Sequence, residues 1–350
     1  MSEADFHILS ISGGGFRGLY PAKVIADIEE DIGEPIARRF DLIAGTSIGG
    51  ILAIALACEI PAKVMVEHFK IHGPHIFRSP WIAGLLRALR TWQKPHFQQI
   101  SLMGYLASTY SPEPLRSMLA QEHVFGTRPL SHAQHPVIVP AVNYTTGLPV
   151  MFKTPHHIDF GRDHKIAMID IALATSAAPI YFPRHVVDSN QYVDGGLYAN
   201  APGLLAHHEA VHFFGADPAR IGMLSIGTMS SKLTADPAQN REGGMIGWGG
   251  INPVNTPKKL FSLQISTQEA ITNFMLQHRL KNRYFHIDET LTGDKVKAVG
   301  LDKADPAAIE ALEGSAGQAS KVALGKKEFR SFLEHKAPPA IFYHGPRAKL

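Results

Sequence analysis

Cysteine is nearly absent from this chain. Cys58 stands alone among 350 residues, so no internal disulfide can form, which fits a reducing compartment. Its place in an apolar run makes it a small buried hydrophobe. Long hydrophobic runs are missing as well: none reaches the roughly 20 residues that span a bilayer. The opening Met1-Ser2-Glu3-Ala4-Asp5 is polar and acidic, unlike a secretory leader. A cytoplasmic protein is expected, one that meets membranes from outside. Concentrated charge is also lacking. The formal net charge is +3 and no block of Lys and Arg dominates. Nucleic acid is therefore not an expected partner, because tracking phosphates needs a basic face. An anionic membrane surface or a small anionic ligand stays open. Metal frameworks are missing too. The chain has 19 histidines, but the pairs His132/His135 and His156/His157 have no carboxylate or cysteine at ligand spacing, so no metal is expected.

What the chain does have is apolar bulk in a strand–helix alternation. Its 45% hydrophobic content suffices for a large core. His7 to Ile11 reads as a strand, Gly13 to Gly18 as a glycine-rich turn, and Leu19 to Ile32 as an amphipathic helix. Phe40 to Ala44 is a second strand, Ile48 to Cys58 a buried helix, and Pro61 opens a helix running to about His72. Later strands are expected at 136–142, 149–153, 191–193, 221–226 and 283–287. Helices are expected at 169–177, 260–280 and, mostly, 307–333. Residues 229–257 carry Gly, Asn and Pro without period and read as a mobile loop. Trp81, Leu85, Leu89 and Trp92 form a helical stripe with Arg87 and Arg90 beside it, the pattern of an interfacial helix, a lid or an ordinary packed helix. The alternation predicts a three-layer α/β fold with a mostly parallel central sheet. No strong internal boundary divides the chain.

Three short motifs carry chemistry. Gly45-Thr46-Ser47-Ile48-Gly49 is a G-x-S-x-G between a strand and a helix. A nucleophilic serine needs such a sharp turn, and the helix N-terminus behind it favours negative charge. Ser12-Gly13-Gly14-Gly15-Phe16-Arg17-Gly18 offers successive backbone N–H groups, which an oxyanion hole requires, with Arg17 adding positive charge. Gly13, Gly15 and Gly18 also fit a dinucleotide fingerprint. That reading wants an acidic residue at the end of the second strand, and Asp41 lies at its start. Asp194-Gly195-Gly196 places a carboxylate at a strand end, where Asp194 can act as general base or merely cap the next segment.

In this order and context, the three motifs resemble those of the patatin-like phospholipases. The stretch Ala174-Thr175-Ser176-Ala177-Ala178-Pro179-Ile180-Tyr181-Phe182-Pro183 is similar to that family as well. The resemblance covers residues 7 to about 230, expected as the catalytic core, with 231–350 as a C-terminal extension packed on it. It implies a Ser47–Asp194 dyad with no histidine, an oxyanion hole of Gly13, Gly14 and Gly15 with Arg17 beside it, and motif glycines Gly18, Gly45, Gly49, Gly195 and Gly196. Many members carry Asp where this chain has Ser12, a departure that leaves the dyad untouched. The implied reaction is hydrolysis of glycerophospholipid acyl esters through an acyl-enzyme, without metal or cofactor. The phrases SGGGFRGLYPAKV and FDLIAGTSIGGILAIALACEIPA further resemble the CapV-type bacterial effectors of anti-phage signalling. That implies a cyclic dinucleotide activator and action at the inner face of the cell membrane. No motif marks the residues that would hold the nucleotide. Two alternatives stand beside this reading. One is a hydrolase with His207 or His208 as base, in the chain order Ser–Asp–His. The other is a non-catalytic nucleotide-binding signalling module.

Overall fold

A computed structural model describes residues 5–78, 108–229, 255–293 and 295–348. The tryptophan stripe, and residues 230–254 of the expected loop, lie outside them. Among the described residues eight strands form one sheet: β1 (Phe6–Ile11), β2 (Leu42–Gly45), β3 (Val137–Asn143), β4 (Leu148–Lys153), β5 (His185–Val187), β6 (Asn190–Asp194), β7 (Ile221–Ile226) and β8 (Tyr284–Ile287). Their order is β5-β6-β3-β2-β1-β7-β8, with β4 paired to β3. The five strands β3, β2, β1, β7 and β8 are parallel, while β4, β6 and β5 join antiparallel.

The longer helices among the described residues are α1 (Leu19–Ile32), α2 (Ile48–Ala57), α3 (Ala62–Ile76), α4 (Glu113–Leu119), α5 (Met168–Thr175), α6 (Gly203–Phe213), α7 (Asn255–Leu280), α8 (Pro306–Leu324) and α9 (Lys327–Phe332). Several boundaries differ from expectation: α3 runs on to Ile76, past the expected His72, and β2 spans Leu42–Gly45 rather than Phe40–Ala44. α7 begins at Asn255, so the last three residues of the expected loop are helical. The segment 307–333 is two helices, broken near Gly325.

Strand side chains alternate between two cores, as a period of two demands. Leu9, Ile11, Ile43, Val139, Leu224 and Ile226 pack on one face with α1, α2, α3, α5 and α8. Ile8, Leu42, Ala44, Ile138 and Met223 pack on the other with α6 and α7. The result is three layers. α2 is apolar all round, and every residue from Gly49 to Ala57 is buried, the signature of a helix enclosed by its neighbours.

β3 makes the junction that positions the site. Its residues Ile138 to Asn143 pair with β4 along one edge. On the opposite edge, Val137 and Ile138 pair with Ile43 and Ala44 of β2, and Ala141 to Asn143 pair with Asp194 to Tyr192 of β6. One edge of β3 is thus shared by two strands. The carboxyl ends of β2 and β6 face each other across Pro140.

Candidate active site

The sequence motifs converge at the carboxyl ends of the strands, where open α/β sheets bind ligands. Ser47 ends the β2 turn and caps α2. Its backbone has φ 56° and ψ −125°, a conformation that non-glycine residues adopt at a cost of about 1–3 kcal/mol. Three contacts hold it there. The Ser47 N–H donates to Thr175 Oγ1 at 3.0 Å, and Thr175 Oγ1 donates to the Pro140 carbonyl at 2.6 Å. The neighbouring Thr46 hydroxyl donates to the Ala199 carbonyl at 2.6 Å. The turn also needs close approach of strand and helix. A Cβ on Gly45 would stand 2.0 Å from the Gly49 carbonyl oxygen, and one on Gly49 2.4 Å from that of Ile11.

From β6, Asp194 meets the serine head-on. Ser47 Oγ donates to Asp194 Oδ2 at 2.7 Å, and the Gly196 N–H donates to Asp194 Oδ1 at 2.7 Å. Asp194 is 2% exposed. Burial pushes its carboxyl up to about 7, against the opposing pull of those two hydrogen bonds. A carboxylate that titrates near neutrality is a competent proton acceptor at physiological pH.

The glycine loop follows β1. Gly14 and Gly15 line a cleft with Ser47 and Asp194, and their N–H groups have no partner among the described residues. Gly15 has φ +57°, and a Cβ there would strike the Leu301 carbonyl oxygen at 2.1 Å. Gly13 is different. Its N–H already donates to the Asn200 carbonyl at 3.0 Å, so it is not free to face a ligand. Arg17 is buried behind the loop. Its Nε donates to the Gly14 carbonyl at 3.4 Å and an Nη to the Met229 carbonyl at 3.2 Å. Burial lowers its affinity for a proton, while nearby Glu269 and Asp288 oppose that. It braces the loop rather than lining the cleft. Gly18 packs on Ile48, and Gly195 on the Pro140 carbonyl. Ser12, the departure from the common motif, donates its N–H to the Ile226 carbonyl.

The cleft above the serine occupies about 860 Å³ including its open mouth, with Phe16, Phe69, Phe77, Met118, Tyr181 and Phe261 among its walls. Apolar walls above a polar floor suit an acyl chain whose ester reaches the serine.

The alternative bases sit elsewhere. His207 and His208 line a separate small cavity with His212 and Arg279. Among the described residues, the side-chain oxygens of Asp194 are bonded to Ser47 and Gly196 and to no histidine. His156 and His135 are engaged by Glu209 and Glu59, and among the described residues no group of three His, Cys, Asp or Glu could hold a metal ion. Three polar residues of the site carried no sequence motif: Asn200, Thr228 and Asp288. They follow strand ends or the Asp194 turn. That position is the one signal that could have found them.

The model of the family described as "Patatin-like phospholipase" matches residues 9–207. A cGAMP-activated phospholipase of Pseudomonas aeruginosa (strain BWHPSA011 / Pa011) is 40% identical over 347 residues, which are 99% of this chain and 97% of that protein. A cGAMP-activated phospholipase of Vibrio cholerae serotype O1 is 31% identical and is covered over 87% of each chain. One of Escherichia coli (strain TW11681) is 30% identical, over 95% of this chain and 94% of that protein. The chain belongs to the patatin-like phospholipase family. It is a lipid acyl hydrolase with the patatin fold.

Proposed function

We propose that Ser47 and Asp194 form the catalytic dyad of a phospholipase A-type reaction that a cyclic dinucleotide switches on. Ser47 Oγ attacks the ester carbonyl carbon while its proton passes to Asp194 Oδ2. The tetrahedral oxyanion takes the free N–H groups of Gly14 and Gly15. The carbon–oxygen bond to the lysolipid breaks, and Asp194 returns the proton to the leaving alkoxide. Water then attacks the acyl-enzyme carbonyl, passing one proton to Asp194 and its hydroxyl to the acyl carbon; the bond from that carbon to Ser47 Oγ breaks, Asp194 returns the proton to Oγ, and the fatty acid leaves. The observation that carries this is the 2.7 Å Ser47–Asp194 contact on the floor of an apolar cleft. The near-neutral Asp194 carboxyl supports its role as base.

Activation by a cyclic dinucleotide rests on the names of three relatives that match most of this chain. The substrate would be the phospholipid of the cell's own membrane, met at its cytoplasmic face in anti-phage signalling. Among the described residues no helix is long and apolar enough to cross a membrane.

The test is fatty-acid release from bacterial phospholipid vesicles, with and without a panel of cyclic dinucleotides. Wild type releases fatty acid when cGAMP is present. Ser47→Ala and Asp194→Asn each lose at least about 10³-fold. A fluorophosphonate labels wild type but not Ser47→Ala. No labelling of the activated wild type would mean that Ser47 is not a nucleophile, and full activity without any nucleotide would remove the switch alone.

A further inference from the structure

The oxyanion donors belong to peptides whose other ends are held from behind. A trans peptide is planar, so the Gly13 carbonyl and the Gly14 N–H point in opposite directions within one rigid unit. The Gly13 carbonyl receives two hydrogen bonds, from Asn200 Nδ2 at 3.0 Å and from Thr228 Oγ1 at 2.9 Å. The Gly13 N–H donates to the backbone carbonyl of Asn200. Asn200 therefore grips Gly13 on both sides. Its second amide hydrogen goes to Glu269 Oε1 at 2.7 Å. Both partners of Nδ2 are acceptors, which settles the orientation of the amide. Asn200, Thr228 and Glu269 are 1%, 0% and 6% exposed, so water does not compete for these bonds.

Glu269 stands in the middle of α7. Phe261 and Ile265, nearer the start of the same helix, line the cleft. One helix thus both walls the acyl cleft and reaches the oxyanion loop.

Resting on the dyad reading above, we propose that Asn200 is a positioning residue. It fixes and polarises the Gly13–Gly14 peptide so that the Gly14 N–H meets the oxyanion, and Glu269 of α7 sets it in place. Hydrogen bonds to a carbonyl strengthen the N–H of the same amide. A donor held before reaction needs no reorganisation when charge develops. The relay makes the position of α7 a determinant of turnover.

A positioning role of this kind acts on the transition state and spares substrate affinity. The experiment measures kcat and KM on a monomeric short-chain ester in the presence of cGAMP. It adds inhibition by a trifluoromethyl ketone, whose hemiketal oxyanion occupies the hole. Asn200→Ala lowers kcat by roughly 10- to 100-fold, less than the roughly 10²- to 10³-fold lost when an oxyanion donor is removed outright, because the donor stays in place but is no longer fixed. KM stays within about twofold, and the ketone weakens by the same factor as kcat. Glu269→Ala loses about 10-fold in kcat, and Glu269→Gln, which keeps the acceptor oxygen, recovers most of it. A loss confined to KM, or an unchanged ketone affinity beside a reduced kcat, would overturn the relay. Circular dichroism shows whether each variant is folded. Should Asn200→Ala not fold, the Glu269→Ala and Glu269→Gln pair decides by the same criteria. Ser47→Ala separates the two ideas. If it remains active the dyad reading fails; if it is inactive while Asn200→Ala has full activity and full ketone affinity, the relay alone fails.

Discussion

Asp194 is a carboxylate kept dry, and that has two consequences of opposite character. As the proposed base it must be ionised, so kcat is expected to rise with pH along a curve whose midpoint lies near the raised value of about 7, with turnover largely lost below pH 6. As a folded group it holds a proton more tightly than the unfolded chain does. Between the ordinary aspartate value of 3.8 and about 7, the native state binds the extra proton, so stability falls as pH rises through that window. Asp194→Asn removes the buried charge and keeps the shape. Its melting temperature exceeds that of wild type at pH 8, and the two converge at pH 4, as scanning calorimetry across pH would show. Equal melting temperatures at pH 8 would mean that the carboxylate is better solvated than its burial indicates. Thr175 supplies a second residue-scale prediction. It receives the Ser47 N–H and donates to Pro140. Thr175→Val leaves both buried groups unpaired, at about 1–3 kcal/mol each. Urea unfolding reads that loss, and kcat falls about tenfold because the strained serine turn loses its anchor.

At the scale of elements, the turn between β2 and α2 admits almost no added atom. Gly45→Ala or Gly49→Ala drives a methyl into a backbone carbonyl. Each costs at least about 2 kcal/mol, in the upper range of overpacking, and chemical denaturation against wild type measures it. This turn was also the most legible part of the chain. A short β-rich run, small residues and an alanine-rich run sit side by side in the sequence, and the physics that joins them is local. The start of α7 was less legible, because Asn255, Thr256 and Pro257 continue a composition typical of loops yet form the helix's first turn. The short β5 and α4 were missed for a similar reason: three and seven residues carry too little period to read. The polar brace of the glycine loop was not legible at all. Asn200 meets Gly13 across 187 positions and Thr228 does so across 215. Such pairings leave no local trace. They follow from strand order, which local composition does not specify.

On the scale of the whole molecule, the segment beyond β7 is structural as well as peripheral. β8 pairs with β7 in register from Met223–Tyr284 to Ile226–Ile287. Leu276 and Leu280 of α7 fill the core beneath β1, β2 and β7. Leu312 and Ala316 of α8 join the core formed by α1 and the other face of the sheet. Asp288, just past β8, accepts the Met229 N–H, beside the Arg17 brace. A chain ending at residue 230 leaves β7 as a bare edge and both cores open. It is expected to be insoluble, or to keep far-UV circular dichroism while losing the near-UV signal. A soluble fragment with native near-UV signal would show that residues 7–230 are a self-sufficient unit.

The shared edge of β3 also bears on how the protein is made. Ser47 and Asp194 are 147 residues apart, and only the docking of β6 beside the end of β2 brings them together. The brace that Glu269 gives to the glycine loop comes later still along the chain. A ribosome that has released the serine turn has therefore released no hydrolase. Strand register withholds the proposed reactive pair until Asp194 and the strands around it have been synthesised and folded. On the proposed dyad, a nascent chain cannot hydrolyse membrane lipid before Asp194 has emerged and β6 has docked beside β3.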